Sequence, residues 1–136
     1  MRTIEVNLDR LEFARDDHAE KHPWWNYDKF YETWKVLDED PETPVRELPL
    51  FQHRRRIGEV VNGVVPSDEE VIDAVNGHRQ LYLDIKHNGY SYKHGYIIIR
   101  IEDDRIYVGD GHHRVSILLH LGYTTIIAEL RGRKNK

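Results

Sequence analysis

Residues 96–122 constrain the fold of this chain more than any other stretch. A β-branched run, Tyr96-Ile97-Ile98-Ile99 with Ile101, is followed by Asp103-Asp104 and then by Arg105-Ile106-Tyr107-Val108. The run is too short and too uniformly apolar for an amphipathic helix, and two aspartates between strand-forming segments make a tight turn, so the segment predicts a β-hairpin. Its second strand leads straight into Gly109-Asp110-Gly111-His112-His113. A short helix from about Arg114 to Leu121 follows, closed by Gly122, and then a last strand from Thr124 to Leu130. Strand, loop, helix and strand in this order predict an α/β protein with a small mixed sheet flanked by helices.

Upstream, Ile4, Val6 and Leu8 alternate with polar neighbours, which predicts a strand from Arg2 to Leu8. Asn26 can cap a helix in which Tyr27, Phe30, Tyr31, Trp34 and Leu37 recur at three- and four-residue spacing until Pro41 and Pro44 end it. Trp24 and Trp25 precede it, and a base-stacking surface is one reading of so many aromatics; burial in a core is the favoured one. Asp38, Glu39, Asp40 and Glu42 read as a solvated helix end. His53, Arg54, Arg55 and Arg56 read as the exposed face of a helix, with phosphate contact the competing reading. Ser67 and Glu70 form a capping box for a helix with Val71, Ile72 and Val75, expected to stop at Asn76-Gly77. A further helix is expected from about His78 to His87, ending at Asn88-Gly89.

Composition narrows the chemistry. With 136 residues, 39% of them apolar, the chain is long enough to bury a core without a metal or disulfide staple, and one domain spanning 1–136 is expected. The absence of cysteine excludes thiol nucleophiles, disulfides and Cys-ligated zinc. The N-terminus has no apolar signal core, and no stretch approaches the ~20 apolar residues of a membrane span, so a cytoplasmic protein without membrane attachment is expected. A formal net charge of -4 argues against a surface wrapped uniformly on nucleic acid. Nine histidines raise the question of zinc, but no His-x-x-x-His pair falls on an expected helix and adjacent His112 and His113 would point apart.

The chemistry-bearing stretch is Gly109 to Arg114. Two glycines let a ligand approach the main chain, and the helix that follows directs unpaired N–H groups and the positive end of its dipole into the same space, which suits a phosphate. Arg114 adds a planar bidentate donor, His112 and His113 add imidazoles that can donate or exchange protons, and Asp110 can help hold a divalent cation. The competing reading is structural: Asp110 caps the helix, Arg114 pairs with a carboxylate, and the histidines fill the loop.

The string Tyr107-Val108-Gly109-Asp110-Gly111-His112-His113-Arg114-Val115-Ser116, continuing to Gly122 and a strand, resembles the phosphate-binding segment of the ParB/sulfiredoxin superfamily. Asp-Gly-His-His-Arg in particular is similar to the ParB-like kinases that phosphorylate free serine. The resemblance covers about residues 67–130, with a weaker match in the first strand, and leaves residues 18–60 as an aromatic helical insertion and 131–136 as a basic tail. It implies a ParB/sulfiredoxin-like fold that binds ATP, ADP or CTP with Mg²⁺ and catalyses phosphoryl transfer or nucleotide hydrolysis. Gly109, Asp110, Gly111, His112, His113 and Arg114 would contact the nucleotide and Asp110 the metal. His112, His113 and Glu12 would serve catalysis, Glu12 as the base with Asp16 and Asp17 as rivals, while the acceptor, small molecule or protein, is not legible. Sulfiredoxins carry their catalytic cysteine where this chain has His112, which excludes sulfinic-acid repair. The chain ends six residues after Leu130, so the helix-turn-helix of chromosome-partitioning relatives is not expected. The alternatives are a ParB-like nucleic-acid-binding protein or nuclease that grips phosphates with Arg54–Arg56 and the tail, and a non-catalytic nucleotide-sensing module.

Overall fold

A computed structural model describes residues 1–12 and 27–131. Trp24, Trp25, Asn26, the rival carboxylates Asp16 and Asp17, and the tail beyond Arg131 lie outside the described residues. The elements run β1 (Thr3–Asn7), β2 (Leu11–Glu12), α1 (Tyr27–Glu39), α2 (Pro49–Asn62), α3 (Asp68–Asn88), β3 (Ile98–Glu102), β4 (Arg105–Asp110), α4 (His112–His120) and β5 (Thr125–Leu130). The protein is therefore α/β, with a five-stranded mixed sheet. Among the described residues no helix is long and apolar enough to cross a membrane.

The chain forms two compact units, Met1–His18 with Tyr90–Lys136, and Ala19–Gly89. The first holds the sheet and α4, the second α1 to α3. The segment that interrupts the sheet unit thus extends to the end of α3, beyond the expected insertion at 18–60.

In the sheet unit the strand order is β1-β5-β3-β4-β2. β1 is antiparallel to β5, β5 parallel to β3, β3 antiparallel to β4, and β4 parallel to β2. The β3–β4 hairpin forms as expected: Asp103 and Asp104 both adopt positive φ, 52° and 65°. These are the torsions of the two-residue turn whose twist matches the flanking strands, and aspartate tolerates them better than most residues. Val6, Ile97, Ile99, Val108, Ile126 and Ala128 line one face of the sheet, each at most 6% exposed, and Val115, Ile117 and Leu118 of α4 are equally buried. α4 begins two residues before the expected start. It ends in a left-handed Gly122 at φ 88°, with the Tyr123 N–H on the Leu118 carbonyl (2.9 Å) and the Gly122 N–H on Leu119 (3.1 Å), the two bonds of a Schellman closure.

The helical unit buries the aromatic stripe of α1, as favoured from its spacing. Phe30 and Trp34 are fully enclosed, and the Trp34 indole stacks on Tyr82 of α3 with centroids 4.8 Å apart. Thr33, also buried, donates to the Lys29 carbonyl (2.8 Å) and accepts the Leu50 N–H (3.1 Å), so a side chain of α1 satisfies an amide in the first turn of α2. The capping box forms at α3: the Glu70 N–H reaches Ser67 Oγ at 3.2 Å, and Ser67 Oγ donates to the Glu70 carboxylate at 3.0 Å. The expected break at Asn76-Gly77 is absent, and α3 runs unbroken from Asp68 to Asn88. Buried Val71, Val75, Tyr82 and Ile85 keep one continuous stripe through Gly77. Asn76, read as a stop, instead accepts from Arg79 Nε (3.2 Å) and Nη2 (2.9 Å) one turn later.

Candidate functional site

The sequence from β4 into α4 builds the candidate site within the sheet unit. In β3–β4 pairing Ile99 faces Val108 but Ile98 faces Asp110, so Gly109 is an extra residue on β4, a bulge. The bulge has a consequence for side chains. Strict alternation would place Asp110 on the buried face with Val108; the extra residue moves it to the opposite face, with its cross-strand partner Ile98. Arg100 and Tyr107 pair on that outer face, with the Arg100 guanidinium 5.8 Å over the Tyr107 ring, and Glu12 of β2 pairs with Tyr107 from the other side. Glu12 and Asp110 therefore share one face of the sheet, separated along β4 by roughly 7–10 Å of strand. Glu12 lies 3.2 Å from Arg105 Nε and keeps 41% of its side chain exposed. Asp110 is 68% exposed.

Gly111 is the N-cap of α4 at φ 103°, ψ 25°. As a glycine it caps no amide with a side chain, and its carbonyl accepts the Val115 N–H at 2.9 Å, so the N–H groups at 112–114 open the helix at its positive end. The two imidazoles differ. His112 is 3% exposed, its ring enclosed, so what it offers a ligand is its main-chain N–H; His113 is half-buried.

Arg114 turns back across the loop. Its Nη1 lies 2.8 Å from the His94 carbonyl, 2.7 Å from Gly95 and 3.3 Å from Tyr96, and its Nη2 is 3.8 Å from the Asp110 carboxylate. Only 14% of the side chain is exposed. The guanidinium passes so close to the main chain that a Cβ on Gly111 would stand 2.9 Å from Nη2, and one on Gly95 3.1 Å from Nη1. Sequence reasoning saw Gly111 and Arg114 as two phosphate contacts. The structure makes them parts of one lock, in which glycines at 95 and 111 leave room for an arginine that ties residues 94–96 to the start of α4.

The sheet unit also holds a pocket of about 390 Å³ lined by Tyr90, Ser91, Tyr96, Tyr123, Thr125, Ile126 and Ile127. Sequence reasoning did not single out this set; three tyrosines spread over 34 positions give no local pattern, and all three lie in the segments that lead into β3 and β5 rather than on the strands. The Tyr90 hydroxyl donates to the Gly95 carbonyl at 2.7 Å, the carbonyl that also receives Arg114. Burial pushes the Tyr90 phenol above its ordinary pKa, partly offset by the Arg114 charge.

Among the described residues, no three His, Cys, Asp or Glu side chains gather into a group able to hold a metal ion. Asp110 alone does not bind a divalent cation; it can complete the shell of one already held by phosphate oxygens.

The Arg54–Arg56 run lies in the helical unit on α2. Arg55 and Arg56 line a groove of about 610 Å³ with Lys29, Gln52, His53 and Glu59. Arg55 Nε is 3.5 Å from Asp68, and Lys29 pairs with Glu32 at 3.4 Å, so much of this positive charge is already answered. Arg54 is directed elsewhere: its Nη1 is 3.2 Å from His78 Nε2, and burial lowers its pKa.

No family model, no curated protein and no solved structure matches the chain.

Proposed function

We propose that the protein binds a nucleotide by its phosphates at the turn from β4 to α4, within a ParB/sulfiredoxin-like fold, and that it transfers or hydrolyses the terminal phosphoryl group. The observation that carries this reading is the Gly111 N-cap: a left-handed glycine, with no side chain to cap the helix, opens a nine-residue helix beside an outward-facing Asp110. An anion is stabilised where several main-chain N–H groups converge at a helix start. The amides of His112, His113 and Arg114 are assigned to phosphate oxygens, Asp110 to the Mg²⁺ that arrives with them, and the His113 ring to a further hydrogen bond. Arg114 adds its positive charge while holding the loop in shape. Mg²⁺, when bound with the nucleotide, neutralises phosphate charge. Without that cation, Asp110 repels the phosphates, so affinity should depend on the metal. Glu12, on the sheet face of Asp110, is assigned the role of taking a proton from an acceptor hydroxyl or water.

The test is thermal unfolding with ATP, ADP and CTP, each with and without Mg²⁺. A ligand that binds only the folded state stabilises it by about 2.7 kcal/mol at 100-fold excess over Kd. A raised Tm with at least one nucleotide, larger with Mg²⁺ than without, supports the reading; no shift with any nucleotide at millimolar concentration overturns it.

A further inference from the structure

We infer that the tyrosine pocket of the sheet unit receives the planar base of the nucleotide, an assignment that rests on the phosphate reading of the Gly111 turn. Three features of the pocket support it. Its size, about 390 Å³, falls in the range of small-molecule sites. Its walls are aromatic and held in place before any ligand arrives: Tyr90 is fixed by its hydroxyl on Gly95 (2.7 Å) and by stacking on His94 (centroids 5.7 Å apart, 14° between planes). Tyr123 is fixed by accepting the Tyr90 N–H at 3.1 Å. The β5 part of the lining is apolar: Ile126 is there with Ile127, which is 39% exposed on an otherwise polar strand face. Fixed aromatic rings beside apolar side chains suit a flat ring, because binding costs little ordering of the lining and every base presents a π-face.

The pocket is also placed to share a ligand with the phosphate turn. Tyr96, which lines it, lies two residues before Ile98, the β3 residue that pairs with Asp110, so the chain leads from the pocket directly to the strand beside the carboxylate. The main chain at 94–96 carries the Tyr96 wall and is the segment on which Arg114 closes. A molecule with a flat apolar ring at one end and an anion at the other spans the two, and a nucleotide has that form. Among the lining residues, Ser91 and Thr125 offer hydroxyls that both donate and accept, which suits purine and pyrimidine edges alike.

The experiment compares ADP and CDP with inorganic pyrophosphate, all with Mg²⁺, by calorimetric titration of the full chain. The expected result is tighter binding of at least one nucleotide than of pyrophosphate. Tyr123→Ala should weaken that nucleotide roughly five- to hundredfold while leaving pyrophosphate affinity unchanged. Because Tyr123→Ala also loses the bond from Tyr90, Thr125→Trp serves as a second variant: it fills the pocket from an exposed strand position and should have the same selective effect. Equal affinity for nucleotides and pyrophosphate, or variants that weaken both ligands equally, would overturn the base assignment and leave the phosphate reading intact. No binding of any of the three ligands would overturn both.

Discussion

Gly111→Ala should destabilise the sheet unit far more than an ordinary glycine substitution. Two costs add. The residue sits at φ 103°, ψ 25°, where an L side chain is strained by about 1–2 kcal/mol even without neighbours. The new Cβ would also meet Arg114 Nη2 at 2.9 Å and the fully buried Ile97 Cγ1 at 3.0 Å, and overpacking of this kind costs about 1–3 kcal/mol. The sum is about 2–5 kcal/mol, a fall in Tm on the order of 10 °C for a chain of this length. Gly122→Ala is the internal control, since that glycine shares the positive φ (88°) but has nothing within 4 Å of its added Cβ, so only the backbone cost of about 1–2 kcal/mol applies. Urea unfolding followed by circular dichroism, with hydrogen exchange on the strand amides to localise the loss, measures both. The double variant Gly111→Ala/Arg114→Ala removes one of the two clashes, so its cost should be less than the sum of the singles. If Gly111→Ala costs no more than Gly122→Ala, the lock between Gly111 and Arg114 does not exist as described.

Arg114→Ala should lower apo stability by about 2–4 kcal/mol, because three carbonyls lose a charged donor, and Arg114→Lys should recover only part of this without the planar fork; unchanged unfolding of the alanine variant would refute the structural role. Burial, reinforced by the hydrogen bond to Asp38 and its charge, raises the Tyr82 phenol well above its ordinary pKa. Since the folded state favours the neutral phenol, the stability it contributes is full below the ordinary value near 10 and is lost as pH rises through the folded one. Alkaline unfolding should therefore be less steep in Tyr82→Phe, and an identical alkaline limb in both proteins would contradict the assignment. Glu12→Gln should abolish phosphoryl transfer or hydrolysis while leaving nucleotide affinity within about twofold, since a general base acts on the attacking group, and full turnover in this variant would remove Glu12 from that role.

What the sequence made legible was local. The Asp103-Asp104 turn, the Ser67–Glu70 box and the aromatic spacing of α1 are decided by residues within a few positions of one another, and each is found in the structure. Gly77 misled because helix propensity treats an interior glycine as a weakness, whereas the buried stripe from Val71 to Ile85 continues across it and outweighs a cost of about 1 kcal/mol. β2 was invisible: two residues, Leu11 and Glu12, carry no periodicity, and only the partner β4 makes them a strand. The bulge at Gly109 was equally hidden, though it decides which face Asp110 occupies. At the candidate site the residues were found from the sequence but their division of labour was not. Whether an imidazole is enclosed, as at His112, or an arginine is turned onto carbonyls 94–96, depends on a loop eighteen to twenty positions away.

The most direct test of nucleotide binding at the Gly111 turn is amide chemical-shift mapping on isotope-labelled protein titrated with ADP and Mg²⁺. Backbone N–H groups that receive phosphate oxygens should show the largest changes, concentrated at Gly111, His112, His113 and Arg114, and saturating with the ligand. Saturating shifts centred instead on the α2 groove around Arg55 and Arg56, or none at millimolar nucleotide, would contradict the assignment of this turn as the phosphate site.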